Sequence, residues 1–169
     1  DIDGKKYKVL CVKGSGWDMA EIEPEGLPAV KLQPLLALKD KKNLSDEDMV
    51  AYQKRNLIDI KSPNPSVETF LHAFLPFKYV DHTHADAVMN ITNRPGGLNF
   101  CKKIFGNKVS IVPYVMPGFM LAKKIHEIYS KNPNINCLIL MNHGIFTFAN
   151  DCKEAYDLMI KYVSKAERS

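Results

Sequence analysis

The feature that most limits the fold of this chain is a continuous apolar run over residues 137–141. A strand that is apolar at every position is typical of a central strand, buried on both faces of its sheet. The turn Asn142-His143-Gly144 ends this run, and residues 145–148 are predicted to form a partner strand. Such strands alternate along the chain with helical patterns, which predicts a layered α/β domain.

Local signals predict where the helices begin. Ser45 with Asp48, and Asp151 with Glu154, are capping pairs, and the first of these helices should run to Leu57. Ser66 is predicted to cap another helix, whose apolar face would comprise Val67, Phe70, Leu71, Phe74 and Leu75. The patterns also predict strands at 7–12, 77–80 and 109–112, and helices at 85–91, 98–105 and 117–129.

Composition excludes several classes of function. The chain has 169 residues, 46% apolar and 25% charged, which is typical of a soluble globular domain. The net charge of +4 comes with scattered lysines, so no nucleic-acid partner is predicted. No apolar run approaches the roughly 20 residues needed to cross a bilayer, so no membrane association is expected. The four cysteines form no CxxC pair, which favours reduced thiols and a cytoplasmic protein.

Two histidines follow the strand predicted at 77–80. Residues two apart in a strand point to the same face, so His82 and His84 should project side by side. Burying polar rings without partners is costly. A shared divalent metal would satisfy both imidazoles, and a pair of hydrogen-bonded histidines at a strand end would do so as well.

His143 stands at the end of the predicted central strand, where ligands of α/β sheets tend to bind. A lone histidine there is more often a structural residue, but with His82 and His84 it completes a His₃ set, a common catalytic zinc sphere. Glu68 is the natural fourth member, although a solvent-exposed glutamate at a helix start is the simpler interpretation. His72 is a competing ligand, since it lies one helical turn from Glu68.

A Gly14-Ser15-Gly16 segment follows the first predicted strand. Glycines let the backbone approach a ligand closely, and successive N–H groups can form an anion-binding nest. A plain turn is the alternative.

Three groups of residues together resemble the class II aldolase/adducin family: 65–68 (PSVE), 82–85 (HTHA) and 142–144 (NHG). Residues 13–18 (KGSGWD) and 82–87 (HTHADA) are most similar to the aldolase domain of bifunctional rhamnulose-1-phosphate aldolase/short-chain dehydrogenase proteins. The resemblance implies a three-layer α/β/α fold with a mixed central sheet, assembled as a homotetramer. It also implies that 1–169 is a single domain that lacks the family's N-terminal strand and its glycine-asparagine turn.

The resemblance implies roles for individual residues. His82, His84 and His143 match zinc ligands, and Glu68 matches the catalytic acid/base. The residues expected to hold a substrate phosphate are Gly14, Ser15, Gly16 and Ser66.

Two departures from the family pattern qualify these roles. Val67 stands where the family more usually has serine, and no tyrosine matches the proton donor of the fuculose-phosphate aldolases. Tyr114 is nearby in sequence but is not assigned that role.

The implied function is zinc-dependent cleavage of a ketose 1-phosphate, of the rhamnulose or fuculose type, to dihydroxyacetone phosphate and an aldehyde. The alternatives are a sugar-phosphate 4-epimerase or a dehydratase that uses the same metal site, and a non-catalytic adducin-like binding module. Imidazole also suits iron, nickel and copper, so zinc is not the only candidate metal.

Overall fold

A computed structural model describes residues 4–169, so the first three residues of the predicted domain lie outside the described range. The chain packs as two compact units. One comprises the described residues up to Phe74 together with Met116–His126, and the other comprises Leu75–Val115 and Glu127–Ser169.

The second unit is built on a four-stranded mixed sheet. Its strands, in chain order, are Tyr79–Thr83 (β3), Val109–Val112 (β4), Cys137–Leu140 (β5) and Gly144–Ala149 (β6). Their spatial order is β3-β6-β5-β4, with β4 and β5 parallel and the other pairs antiparallel. The apolar run predicted as a central strand is β5, which lies inside the sheet and is buried at every position.

Three helices cover one face of this sheet, and the end of a fourth reaches the opposite face. Ile139 and Ile145 belong to a buried cluster with side chains of three helices, which are Asp86–Thr92 (α4), Gly97–Phe105 (α5) and Cys152–Glu167 (α7). Phe148 points to the opposite face, where its ring meets that of Tyr129 in the helix Phe119–Lys131 (α6), with centroids 6.0 Å apart. The predicted α/β fold with a mixed sheet is confirmed.

The first unit contains a two-stranded antiparallel sheet and short helices. Its strands and helices are Val9–Cys11 (β1), Ala29–Lys31 (β2), Leu32–Ala37 (α1), Asp46–Arg55 (α2) and Thr69–Phe74 (α3). Ser45 caps α2 as predicted, because its side chain accepts a hydrogen bond from the Asp48 amide. Asp151 caps α7 in the second unit in the same way, through the Glu154 amide.

The start of α3 differs from the prediction. The helix begins at Thr69, and Val67, expected on its apolar face, is 48% exposed. The Ser66 side chain accepts a hydrogen bond from the Glu68 amide, and the Thr69 hydroxyl donates to the Ser66 carbonyl. These bonds hold residues 66–68 in a turn, so Glu68 precedes the helix rather than lying in its first turn.

No helix within residues 4–169 is long and apolar enough to span a membrane.

From the half-buried His126 on α6, we predict that the free energy of unfolding depends on pH. Burial lowers the pKa of His126 and the charge of Lys39 lowers it further, while the charge of Asp40 and a hydrogen bond with the Phe74 backbone partly offset both. The unfolded chain then binds more protons than the folded one below the ordinary histidine pKa of about 6.5, so stability should fall as the pH drops through that value. His126→Gln should flatten this loss, measured as midpoints of urea unfolding between pH 7.5 and 5. An unchanged slope would contradict the assignment.

Candidate metal centre

The edge strand β3 presents two of the candidate ligands. It pairs with β6 in a register that places His82 opposite Phe146, and the two rings stack at 3.9 Å with an interplanar angle of 9°. His84 follows the last residue of the strand and is exposed. The two imidazoles lie side by side, with centroids 4.7 Å apart, as the i, i+2 spacing predicts.

The turn between β5 and β6 supplies the third histidine. Asn142 has a φ of 57°, a left-handed conformation that asparagine adopts more readily than most residues. The His143 amide donates to the Leu140 carbonyl, which closes the turn, and the His143 side chain is buried. A tight turn therefore fixes His143 beside the strand that carries the other two rings.

The three imidazoles converge. The His143 ring centroid lies 5.3 Å from that of His82 and 5.1 Å from that of His84. One nitrogen from each ring lies within 4.8 Å of those of the other two, so the set could hold a metal ion. The Nε2 atoms of His82 and His84 are 3.0 Å apart. Two nitrogens bound to one tetrahedral Zn²⁺ would be roughly 3.3 Å apart.

A backbone carbonyl orients the His82 ring. The Nδ1 atom of His82 lies 2.9 Å from the Ile145 carbonyl oxygen, which can only accept a hydrogen bond. Nδ1 must therefore carry the proton, which leaves a lone pair on Nε2, on the side that faces His84. Metal-binding histidines commonly have this outer hydrogen bond, so the donor set fits a divalent metal.

Glycine is required next to the ligands. A Cβ atom on Gly144 would lie 2.6 Å from the Thr83 carbonyl oxygen, 2.9 Å from Cδ2 of His84 and 3.2 Å from Cε1 of His82. The absence of a side chain at Gly144 therefore lets the turn approach β3 closely enough for the three rings to meet.

Glu68 belongs to the first unit, where it is half-buried in the turn before α3. Its carbonyl accepts hydrogen bonds from the amides of Leu71 and His72, so its backbone is anchored at the start of the helix. His72, the competing ligand of the sequence analysis, lies on α3 in the same unit and is half-buried.

The residues predicted to bind phosphate come together in the first unit. Ser15 and Ser66 are far apart in sequence, but Gly14 forms an antiparallel bridge with Pro65. The Ser15 amide donates to the Asn64 carbonyl, and the Ser66 amide donates to the Lys13 carbonyl. The turn at residues 14–17 is thus joined to the segment before α3.

The backbone amide of Gly14 is already paired within the first unit. It donates to the Gly26 carbonyl at 2.7 Å, so it is not available to a phosphate, and the Ser15 amide is likewise occupied. Gly14 instead serves packing, because a Cβ there would lie 2.9 Å from Cγ of Pro63. The groups of the predicted set that remain as donors are the Gly16 amide and the hydroxyls of Ser15 and Ser66.

Three features, two of the metal centre and one of the first unit, were missed in the sequence. They are the Ile145 carbonyl that orients His82, the close approach at Gly144, and the Lys13 ammonium, which donates to the Trp17 carbonyl. A glycine directly after a histidine at a strand end could have signalled the close approach. The other two depend on side-chain conformation and tertiary pairing.

The family described as "Class II Aldolase and Adducin N-terminal domain" matches residues 3–168. The chain belongs to this family. A solved N-terminal class II aldolase domain from Thermoplasma acidophilum is 43% identical, with a TM-score of 0.87 over 96% of this chain and 75% of that one. Family and fold together identify a class II aldolase-like domain.

Other relatives are more distant or longer. The "Uncharacterized oxidoreductase YuxG" of Bacillus subtilis is 39% identical over 168 residues, which are 99% of this chain. The chain spans only 24% of the length of that relative. A solved L-fuculose 1-phosphate aldolase shares the fold at 16% identity, with a TM-score of 0.62 over 94% of this chain and 68% of that one.

Gly144→Ala tests the close approach. The added methyl must displace the Thr83 backbone or the histidine rings, so we expect a loss of about 1–3 kcal/mol in the free energy of unfolding. Affinity for Zn²⁺ should fall about 10- to 100-fold. Chemical denaturation and competition with a chromophoric chelator measure the two effects. Cys152→Ala, an exposed change in the same unit, is the control, and a variant that matches it in both assays would refute the packing argument.

Proposed function

We propose that this chain is a zinc-dependent aldolase that cleaves a ketose 1-phosphate, of the rhamnulose or fuculose type, to dihydroxyacetone phosphate and an aldehyde. The observation that carries the proposal is the convergence of His82, His84 and His143, because three neutral imidazoles leave a coordination position open for substrate. A divalent ion bound there would supply a Lewis acid that polarises the substrate carbonyl.

Glu68, which matches the acid/base of the family pattern, is proposed as the proton carrier of the reaction. In cleavage, the C4 hydroxyl loses its proton to a base, the bond between C3 and C4 breaks to release the aldehyde, and C3 of the triose phosphate gains a proton. A carboxylate held at the start of α3 by its own backbone hydrogen bonds can deliver that proton to one face of C3 and recover it in synthesis. This role is supported by the family pattern at residues 65–68 and by the carboxylate chemistry.

The substrate phosphate is proposed to bind the Gly16 amide and the hydroxyls of Ser15 and Ser66. Gly16 has a φ of 84°, and a Cβ placed there would meet nothing within 4 Å, so its backbone faces open space that an anion could enter. Binding a phosphate remote from the reacting carbons supplies energy for orienting the carbonyl.

The fold alone does not choose between aldol cleavage, 4-epimerisation and dehydration. The aldolase is favoured by residues 13–18 and 82–87, which most resemble the aldolase domain of the bifunctional proteins. Three candidate ligands argue against a purely adducin-like binding module. We also propose a homotetrameric assembly and a cytoplasmic location, in line with the family resemblance and the unpaired thiols.

Product trapping tests the reaction. Incubation with rhamnulose 1-phosphate or fuculose 1-phosphate should release dihydroxyacetone phosphate, which a coupled reductase detects as loss of NADH. Prior dialysis against a chelator should abolish the signal and Zn²⁺ should restore it, because the metal polarises the carbonyl. A metal-loaded protein that isomerises or dehydrates the sugar without releasing a triose phosphate would establish one of the alternatives instead.

Glu68→Gln tests the proton carrier. The amide cannot take up the proton, so we expect cleavage to fall about 10²- to 10⁴-fold while the three histidines retain zinc, measured by elemental analysis. The matched control is His72→Gln, a half-buried residue on α3 four positions after Glu68. It has no proposed role in the reaction, so activity should stay within about threefold of the wild type. Full activity in Glu68→Gln would remove Glu68 from the mechanism.

A further inference from the structure

The His82 ring is the central ring of the candidate metal centre. The rings of His84 and His143 both meet it edge-on, at interplanar angles of 76° and 89°. Edge-to-face contacts of this kind are a preferred arrangement of aromatic rings. A tilt of the His82 ring would therefore disturb its contacts with both of the other imidazoles.

The hydrogen bond of His82 does not fix this plane by itself. The bond from Nδ1 to the Ile145 carbonyl holds one ring atom in position. Hydrogen bonds to a carbonyl oxygen tolerate a broad range of directions, however, so the ring could still tilt about that atom. A second contact is required to hold the imidazole in one plane.

Phe146 supplies that contact. It lies directly opposite His82 on β6, and the two rings are nearly parallel, with centroids 3.9 Å apart and an interplanar angle of 9°. Phe146 is fully buried, and Leu138 of β5 lies opposite it on its other side. The phenyl ring is thus a flat support in the interior of the sheet, and one face of the imidazole rests on it.

The stacked contact also responds to a bound cation. An imidazole that donates its Nε2 lone pair to a divalent ion becomes more positive. The face of an aromatic ring attracts positive charge that lies within about 6 Å of its centroid. The stack is therefore stronger when His82 holds a metal than when it does not, and this difference favours binding of the ion.

We propose that Phe146 is a positioning residue of the metal centre: its ring holds His82 in the plane in which Nε2 faces His84. The inference rests on the metal centre of the proposed function and not on the reaction. The strength of a stacked aromatic pair corresponds to a change of about 3- to 10-fold in an equilibrium constant. If the ring leaves its binding orientation without this contact, the apparent affinity for the ion falls by the same factor.

The test compares Phe146→Leu with Phe148→Leu. Both phenylalanines are buried and lie two residues apart on β6, so they point to the same face. The Phe148 ring, however, meets that of Phe77, with centroids 4.7 Å apart. Both changes should lower the midpoint of urea unfolding to a similar extent, because both leave a cavity. Affinity for Zn²⁺, measured by competition with a chromophoric chelator, should fall about 3- to 10-fold in Phe146→Leu and less than about twofold in Phe148→Leu.

Two spectroscopic readouts separate positioning from stability. In the metal-free wild type, the ring current of Phe146 should shift the Hδ2 and Hε1 resonances of His82 upfield, and Phe146→Leu should remove that shift. In the Co²⁺-loaded protein, visible absorption reports the ligand geometry and should change in Phe146→Leu but not in Phe148→Leu. If Phe146→Leu does not fold, Phe146→Met replaces it, because methionine fills the space flexibly without a ring.

The outcomes separate this inference from the proposed function. Equal affinity for Zn²⁺ in the variants at 146 and 148 overturns the role of Phe146, and so do unshifted His82 resonances in the wild type, a measurement that requires no variant. Metal affinity that depends on Phe146, in a protein that cleaves no ketose phosphate, supports Phe146 and overturns the aldolase proposal. A wild-type protein with no affinity for Zn²⁺ or Co²⁺ overturns both.

Discussion

The candidate metal centre depends on one pairing, the antiparallel register of β3 on β6. Because side chains alternate along a strand, a slip of one residue would turn His82 to the opposite face of the sheet. Contacts made by residues of both strands fix this register. His82 stacks on Phe146 and bonds the Ile145 carbonyl, and Gly144 permits the close approach. The same contacts that define the edge of the sheet therefore also aim the imidazoles.

Features determined by neighbouring residues could be predicted from the sequence. The caps at Ser45 and Asp151 are bonds to an amide three residues away, and both are present. The shared face of His82 and His84 follows from strand geometry alone. The start of α3 could not be predicted, because Ser66 is equally able to cap a helix or to hold a turn, and the structure has the turn.

Features that depend on tertiary pairing could not be predicted from a single sequence. Nothing in the chain order indicates that β6 lies between β3 and β5, or that Gly14 bridges Pro65. The Gly14 amide was predicted as a phosphate donor because the Gly26 carbonyl, its actual acceptor, is not recognisable in the sequence. The candidate site residues could thus be recognised from their type and their order in the sequence. The direction in which each hydrogen-bond donor points could be read only from the folded structure.

The separation of the ligands in sequence has a consequence for how the centre assembles. The β5–β6 hairpin brings together neighbours that a three-residue turn joins, and such local closure is fast. Docking of β3 joins His82 to Ile145 across 63 residues, which carries a much larger entropy of loop closure. We therefore expect His143 to be in place before His82 and His84, so that a cation can bind all three rings only once the sheet is complete.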